Sequence, residues 1–299
     1  MSETTASLRR KIDNAGDLQS VVRTMKAVAA SSIGQYDQSV RALADYYHTI
    51  ELGLGACFRA RAAGAGAAAP RASQTIVGAI VFGSDQGLVG QFNEVVTELA
   101  VETLRPLPGE HRVWAVGERV HARLSDAGMQ PTSPFPLPSS APAIAPLVGR
   151  ILVESEKPRH GLAVTELHLF YNHPTSGASY APVNKRLLPL DEDWRKELAS
   201  RPWPTGALPE IMGHGDDTLR AFLRGYVFIS LFRACAESLA SENASRLAAM
   251  QRADKNIDDL LGNLNDDFHR LRQSGIDEEL FDIIAGFEAL SKGGHQQGA

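Results

Sequence analysis

The sequence predicts an α/β domain combined with a long antiparallel α-helical coiled coil: a Rossmann-like globular domain inserted between N- and C-terminal helices. Three observations lead there. Apolar or small residues recur at steps of three or four near both ends of the chain, the spacing that keeps one stripe on one helix face. Between these zones, short β-branched apolar runs alternate with helix-sized pieces, the order of a small domain with a mainly parallel sheet. Neither helical zone contains a proline, so nothing in them forces a break.

The first helix is expected over residues 7–58. Its stripe runs Leu8, Ile12, Ala15, Leu18, Val22, Met25, Ala29 and on to Ile50 and Leu54, with Gly16, Gly34 and Gly53 as weak points. Residues 59–73, rich in Ala and Gly and holding Pro70, read as a connector. Residues 74–190 form the expected globular domain. TIVGAIVF (75–82) has the β-branched, wholly apolar character of a buried strand. A glycine-punctuated turn at 83–90 precedes a helix at 92–104, a strand at 112–116 and a helix at 118–127. A proline-rich stretch at 131–146 leads to a helix at 143–155, a strand at 166–171 and a return strand at 180–190, with Ser176 and Gly177 as turn residues. Residues 191–215, with three prolines and three glycines, read as a second connector. The second long helix is expected over 216–290, with Asn243 and Asp254 as polar positions in its seam and a disordered tail over 291–299.

Composition excludes several function classes. The formal net charge of -5 gives no overall basic field of the nucleic-acid-binding kind. The two cysteines, Cys57 and Cys235, form no CxxC pair and read as small core filler, so neither a zinc site nor any other metal site is expected. No apolar run approaches the ~18 residues that span a bilayer. No secretory signal is evident at the N-terminus.

Two long apolar stripes flanking one compact domain are best buried against each other. If both helices leave the domain near Leu54 and Leu219, Met25 lies near the level of Ala248 and Leu8 near Asn265. The C-terminal helix then outruns its partner by roughly 25 residues, or about 37 Å. That overhang still carries Ile276, Leu280, Ile283, Ile284, Phe287 and Leu290. A lone helix with an apolar stripe is marginal in water, so a surrounding sleeve is expected. The alternative is that Gly275 ends the helix and the tail folds back as a hairpin.

At this point four motifs carry a resemblance. ESLASENASRLAAM (237–250), RQSGIDEEL with FDIIAGFEAL (272–290), LRRKIDNAGDLQSVVRTMKAVAAS (8–31) and GSDQGLVGQFN (83–93) resemble, in order, segments of F-type ATP synthase gamma subunits. The resemblance implies a non-catalytic central rotary stalk, coupling ion flow through the membrane rotor to ATP synthesis or hydrolysis. It implies partners: the alpha and beta subunits of the catalytic ring, the epsilon subunit and the membrane c-ring, with no cofactor of its own. By motif match, Met25 and Lys26 fall where the family's first helix faces a beta-subunit loop, Arg246 falls in the facing C-terminal motif, and Arg272 and Gln273 match the pair that hydrogen-bonds a beta-subunit catch loop. The six apolar overhang residues would lie inside the alpha/beta ring. The wording at 14–18 and 21–24, the prolines at 131–146, and ten acidic against three basic residues over 254–288 depart from the family's common form. Such departures fit a divergent subtype, of the kind a second, alternative ATPase operon encodes. The match beginning at Leu8 leaves no room for an organellar transit peptide, so the expected location is peripheral, on the cytoplasmic face of a bacterial inner membrane.

Two rival functions have weaker support. GSDQGLVG after a strand exposes backbone N–H groups, but it lacks the Gly-Lys-Ser/Thr ending of a P-loop and the GxGxxG spacing of a dinucleotide site. Asp85 there reads as a helix cap rather than a catalytic acid. A coiled-coil scaffold or adaptor without a rotary role would explain both helices but not the four motifs.

Overall fold

The computed structural model describes residues 4–63, 76–158, 163–175, 179–205, 207, 209–211 and 214–293, with side chains described to Ala285. It divides into two compact units, one of Met1–Ala27 with Met250–Ala299 and one of Val28–Ala249. Each long helix contributes to both units. Their inner stretches belong with the sheet.

In the first unit, helix α1 (Thr5–Ala42) begins at a reciprocal cap. The Ser7 N–H donates to Thr4 Oγ1 and the Thr4 N–H donates to Ser7 Oγ, each at 3.2 Å, which satisfies two of the N–H groups that a helix start leaves free. Leu8, Ala15 and Val22 are buried at heptad spacing, together with Gln19. They belong to the same unit as Met250 and Ile257, buried on α7 (Gly215–Gly293). Gln19 Nε2 donates to Asp258 Oδ1 and Lys26 Nζ lies 2.6 Å from Asp254 Oδ2, so the two helices run antiparallel. This register differs from the expected one by about one to two turns, because it is set by these polar pairs and not by a common exit level. Leu18, expected in the stripe, is 55% exposed, and Gln19 takes the inward position. α7 continues through Gly275, so the fold-back alternative does not occur among the described residues.

In the second unit, Leu43 interrupts the first helix: its N–H bonds the Val40 carbonyl at 3.2 Å, an i−3 bond, before α2 (Ala44–Ala63) resumes. α2 runs five residues into the expected connector, whose Arg and Ala residues are strong helix formers; the remainder of that connector lies outside the described residues. The sheet comprises β1 (Ile76–Phe82), β2 (Glu110–Val116), β3 (Glu166–Pro174) and β4 (Tyr180–Leu188), in the order β2-β1-β3-β4. β1 is parallel to β2 and β3, and β4 closes the edge antiparallel to β3. Every residue of β1 is buried, as a strand covered on both faces requires. The turn expected at Ser176 and Gly177 lies outside the described residues.

Alternation along the strands sorts two cores. Val77, Ala79, Val81 and Phe170 face α3 (Phe92–Leu104) and α4 (Glu118–Asp126). Ile80, Phe82, Trp114, Leu167 and Leu169 face α5 (Ile144–Glu156), α2 and α7. The proline-rich segment is not loose: Pro131 and Phe135 bridge to Val113 and Val116 along the outer edge of β2. Three prolines hid one element. Within the expected connector 191–215, α6 (Glu192–Ser200) forms because Asp191 Oδ1 accepts from the N–H groups of Asp193 and Trp194 at 3.0 Å each, and Leu198 is buried. Arg201, just past its end, binds Glu51 of α2 at 2.7 Å.

Candidate interaction surfaces

Three sets of residues are in question: the seam residues, the buried motif on α7, and the C-terminal stripe. In the seam, Asp254 is 13% exposed and is bridged by Lys26 at 2.6 Å and Arg23 at 3.2 Å. The Lys26 ammonium first, then the Arg23 guanidinium, hold the Asp254 carboxyl below its usual range against the opposing effect of desolvation. A charge at a seam position, tied to one partner level, fixes register. Met25, next to Lys26 in the sequence, is half-buried. Lys26 is thus engaged within the chain, with its ammonium on Asp254.

Arg246 belongs to the other unit. Its side chain is 14% exposed and binds Glu242, one turn earlier on α7, at 2.7 Å. Burial pushes the Glu242 carboxyl up while the Arg246 charge pulls it back. Asn243, the other polar seam position, donates from Nδ2 to the Leu239 carbonyl at 2.8 Å and so satisfies itself along its own helix.

The loop carrying GSDQGLVGQFN is a joint. The Ser84 N–H donates to Asn93 Oδ1 at 2.9 Å, and Asn93 Nδ2 donates to Ser84 Oγ at 2.8 Å. Asp85 accepts from the Glu118 N–H at 3.0 Å, at the start of α4, and from the Leu137 N–H at 2.9 Å. Asp85 is therefore a cap, and it ties the proline-rich segment down as well. Ser245 Oγ donates to the Val89 carbonyl at 2.7 Å, fastening the loop to α7. Leu88 and Gly90 take left-handed φ values of 63° and 60°, which turns the loop and leaves Leu88 exposed.

Over residues 276–285 of α7 the side chains are exposed. Arg272 and Gln273 are exposed. Ile276 (53%), Leu280 (56%), Ile283 (70%) and Ile284 (47%) are exposed too, and so is Phe281 (69%), which the stripe as read from the sequence had omitted. Phe281 follows Leu280 directly, so it widens the apolar surface. The side chains of Phe287 and Leu290 lie outside the described residues. Reasoning from sequence also missed Gln19 and Asp258. Their signal was a polar pair at complementary seam positions, which becomes visible only once the register is known.

These features define a helical stalk subunit with an inserted α/β domain. The family model described as ATP synthase matches residues 4–290. The ATP synthase gamma chain of Dechloromonas aromatica (strain RCB) is 26% identical over 286 residues, covering 95% of this chain and 98% of the relative. That of Mycobacterium sp. (strain KMS) is 28% identical over 307 residues, covering 97% and 98%. A chain in the OSCP/F1/c-ring structure of the Euglena gracilis mitochondrial ATP synthase superposes with a TM-score of 0.62 at 16% identity, covering 97% and 95%. One in the central stalk/c-ring structure of the Tetrahymena thermophila mitochondrial enzyme gives 0.53 at 20% identity, covering 78% and 99%. The chain belongs to the ATP synthase gamma family. It is a non-catalytic subunit, and the scaffold alternative is not favoured.

Proposed function

We propose that this chain is the turning shaft of a bacterial F-type ATP synthase or ATPase, with the alpha and beta subunits around it and the epsilon subunit and c-ring at its globular domain. The single observation that carries the reading is the exposed stripe Ile276, Leu280, Phe281, Ile283 and Ile284 on an unbroken helix. Covering each half-exposed side chain is worth about 1 kcal/mol. Enclosure by a ring therefore supplies several kcal/mol that the chain alone forgoes. Rotation of a helix carrying unlike side chains around its circumference presents a different surface to each ring subunit in turn, and this couples angle to the state of each nucleotide site.

In this reading Arg272 and Gln273, exposed just before the stripe, hydrogen-bond a beta-subunit loop. Met25, Lys26 and Arg246 lie on the faces nearest the ring, where the ion pairs of Lys26 and Arg246 also hold the shaft stiff. The complex docks on the cytoplasmic face of the inner membrane. No helix among the described residues is long and apolar enough to cross a membrane. The 25–28% identities to curated gamma chains agree with a divergent member of the family.

Deleting residues 276–299 tests the proposal. Assembly with alpha and beta subunits, or torque in the assembled complex, drops at least tenfold, while the thermal unfolding of the α/β domain is unchanged. Full assembly and torque without these residues would remove the role assigned to the stripe.

A further inference from the structure

A cavity of about 200 Å³ lies between the sheet and the helices α2 and α7, lined by Tyr47, Leu169, Tyr171, Lys185, Ile229, Ser230, Arg233 and Ala234. Its construction follows from register. Leu169 of β3 pairs with Lys185 of β4 across the sheet, so both point to the same face as Tyr171. Ile229, Ser230, Arg233 and Ala234 present one face of α7 toward them. The wall therefore holds two cations and no carboxylate.

Arg233 has one ion pair, to Glu237 at 2.7 Å, whereas Lys185, among the described residues, makes no hydrogen bond or ion pair. Its recorded contact is a cation–π approach, with Nζ 5.5 Å from the Tyr226 ring centre. Burial, and then the charge of Arg233, push the lysine toward its neutral form; Glu237 and Glu51 oppose this. Both carboxylates lie against the lining, Glu237 bonded to Tyr171 and Glu51 to Tyr47, and both have cationic partners of their own. Glu237 takes Arg233 Nε at 2.7 Å and His173 Nδ1 at 2.9 Å, and Glu51 takes Arg201 at 2.7 Å. The two terminal nitrogens of Arg233, an exposed residue, and the ammonium of the half-buried Lys185 make no hydrogen bond or ion pair among the described residues and are free to take a ligand in place of water. For Lys185, a half-buried ammonium without an ion-pair partner is costly, and perturbed groups of this kind cluster at binding sites.

We propose that this cavity is a binding site for one small tetrahedral oxyanion of the inorganic phosphate type, held between the Lys185 ammonium and the Arg233 guanidinium. Arginine supplies paired donors to two oxygens and lysine a point charge to a third. The volume accommodates such an ion with a few waters, each needing about 30 Å³. Tyr47 and Tyr171 close the sides, and the buried Ser230 hydroxyl lies on the wall. Because α2, β3, β4 and α7 all meet there, the bound ion links the base of both long helices to the sheet. The site is independent of the proposed rotary role.

The test uses the full-length chain and inorganic phosphate, with chloride at matched ionic strength as the reference. Phosphate at about tenfold over its Kd raises the unfolding midpoint by roughly 3–5 °C over chloride and broadens the phosphate ³¹P resonance. Lys185→Met abolishes both effects and, without phosphate, melts no lower than the parent chain, because an unpaired buried charge has gone. Lys185→Arg keeps the charge and retains the response. Arg233 is left untouched, since its removal strips Glu237 of a partner. Equal midpoints in phosphate and chloride would mean a cavity filled by water alone, and an undiminished response in Lys185→Met would put the ion elsewhere. Either result overturns the proposal.

Discussion

Gly55 sits on α2 where α6 crosses it. A Cβ added there would lie 2.5 Å from the Leu198 carbonyl oxygen and 3.2 Å from its carbon. These are backbone atoms of a capped helix, so no side chain can swing aside; α6 has to move. Overpacking of this kind costs about 1–3 kcal/mol. Alanine also returns about 0.8–1.0 kcal/mol of helix propensity relative to glycine. Gly55→Ala is therefore expected to be neutral or to destabilise by up to about 2 kcal/mol. Gly34 lies on α1 in the same unit with nothing within 4 Å of an added Cβ. Gly34→Ala should stabilise by about 0.5–1 kcal/mol. The two variants thus make the same chemical change with different expected effects, separated by about 0.5–3 kcal/mol. Urea unfolding followed by circular dichroism, with the slopes compared as well as the midpoints, reads the difference. If Gly55→Ala stabilises as much as Gly34→Ala, the close approach of α2 to α6 is not a constraint and the account of this joint is wrong.

Two further substitutions probe the joints around α7. Burial alone would raise the Glu237 carboxyl, but its bonds from Arg233 and His173 outweigh that and hold it low. A depressed carboxyl contributes stability above the ordinary glutamate value of about 4.3, and this is lost as pH falls through the folded value. Glu237→Gln is thus less stable than the parent at pH 7, with the gap closing below about pH 4; a constant gap across that range would assign Glu237 a purely steric role. Asp85→Ala removes the acceptor of two N–H groups, one capping α4 and one in the proline-rich segment, and should cost about 1–3 kcal/mol by urea unfolding. A loss below a few tenths would mean that water replaces it freely.

Much of this architecture was legible in the sequence, for identifiable reasons. β1 announced itself because a strand buried on both faces has to be apolar throughout, and the long helices did so because a stripe at steps of three and four has no other use. α6 was hidden by Pro202, Pro204 and Pro209, which lie after its end; the readable signal was Asp191 ahead of Trp194 and Leu198. The break at Leu43 has neither glycine nor proline to mark it. In the seam, periodicity counted Leu18 as inward and Gln19 as outward, and the structure reverses both, because Gln19 has a polar partner in Asp258 that only the register reveals. Gly53 and Gly55 look like weak points in a helix until the neighbours are known. Phe222 lies 2.2 Å from a Cβ built on Gly53, so the glycine marks a close crossing. The interaction residues divide in the same way. Arg272, Gln273, Ile276, Leu280, Ile283 and Ile284 are exposed, whereas Lys26 and Arg246 carry intrachain ion pairs that no single-sequence motif discloses.

The central claim is that this chain turns inside a ring of other subunits and has no nucleotide chemistry of its own. The most direct measurement is single-molecule rotation in a complex reconstituted from this chain with the alpha and beta subunits, carrying a bead on the α/β domain. The account predicts unidirectional, stepwise rotation driven by ATP, and no hydrolysis by the isolated chain. ATP turnover by this chain alone, or an assembled ring that hydrolyses ATP while the bead only diffuses, would contradict it.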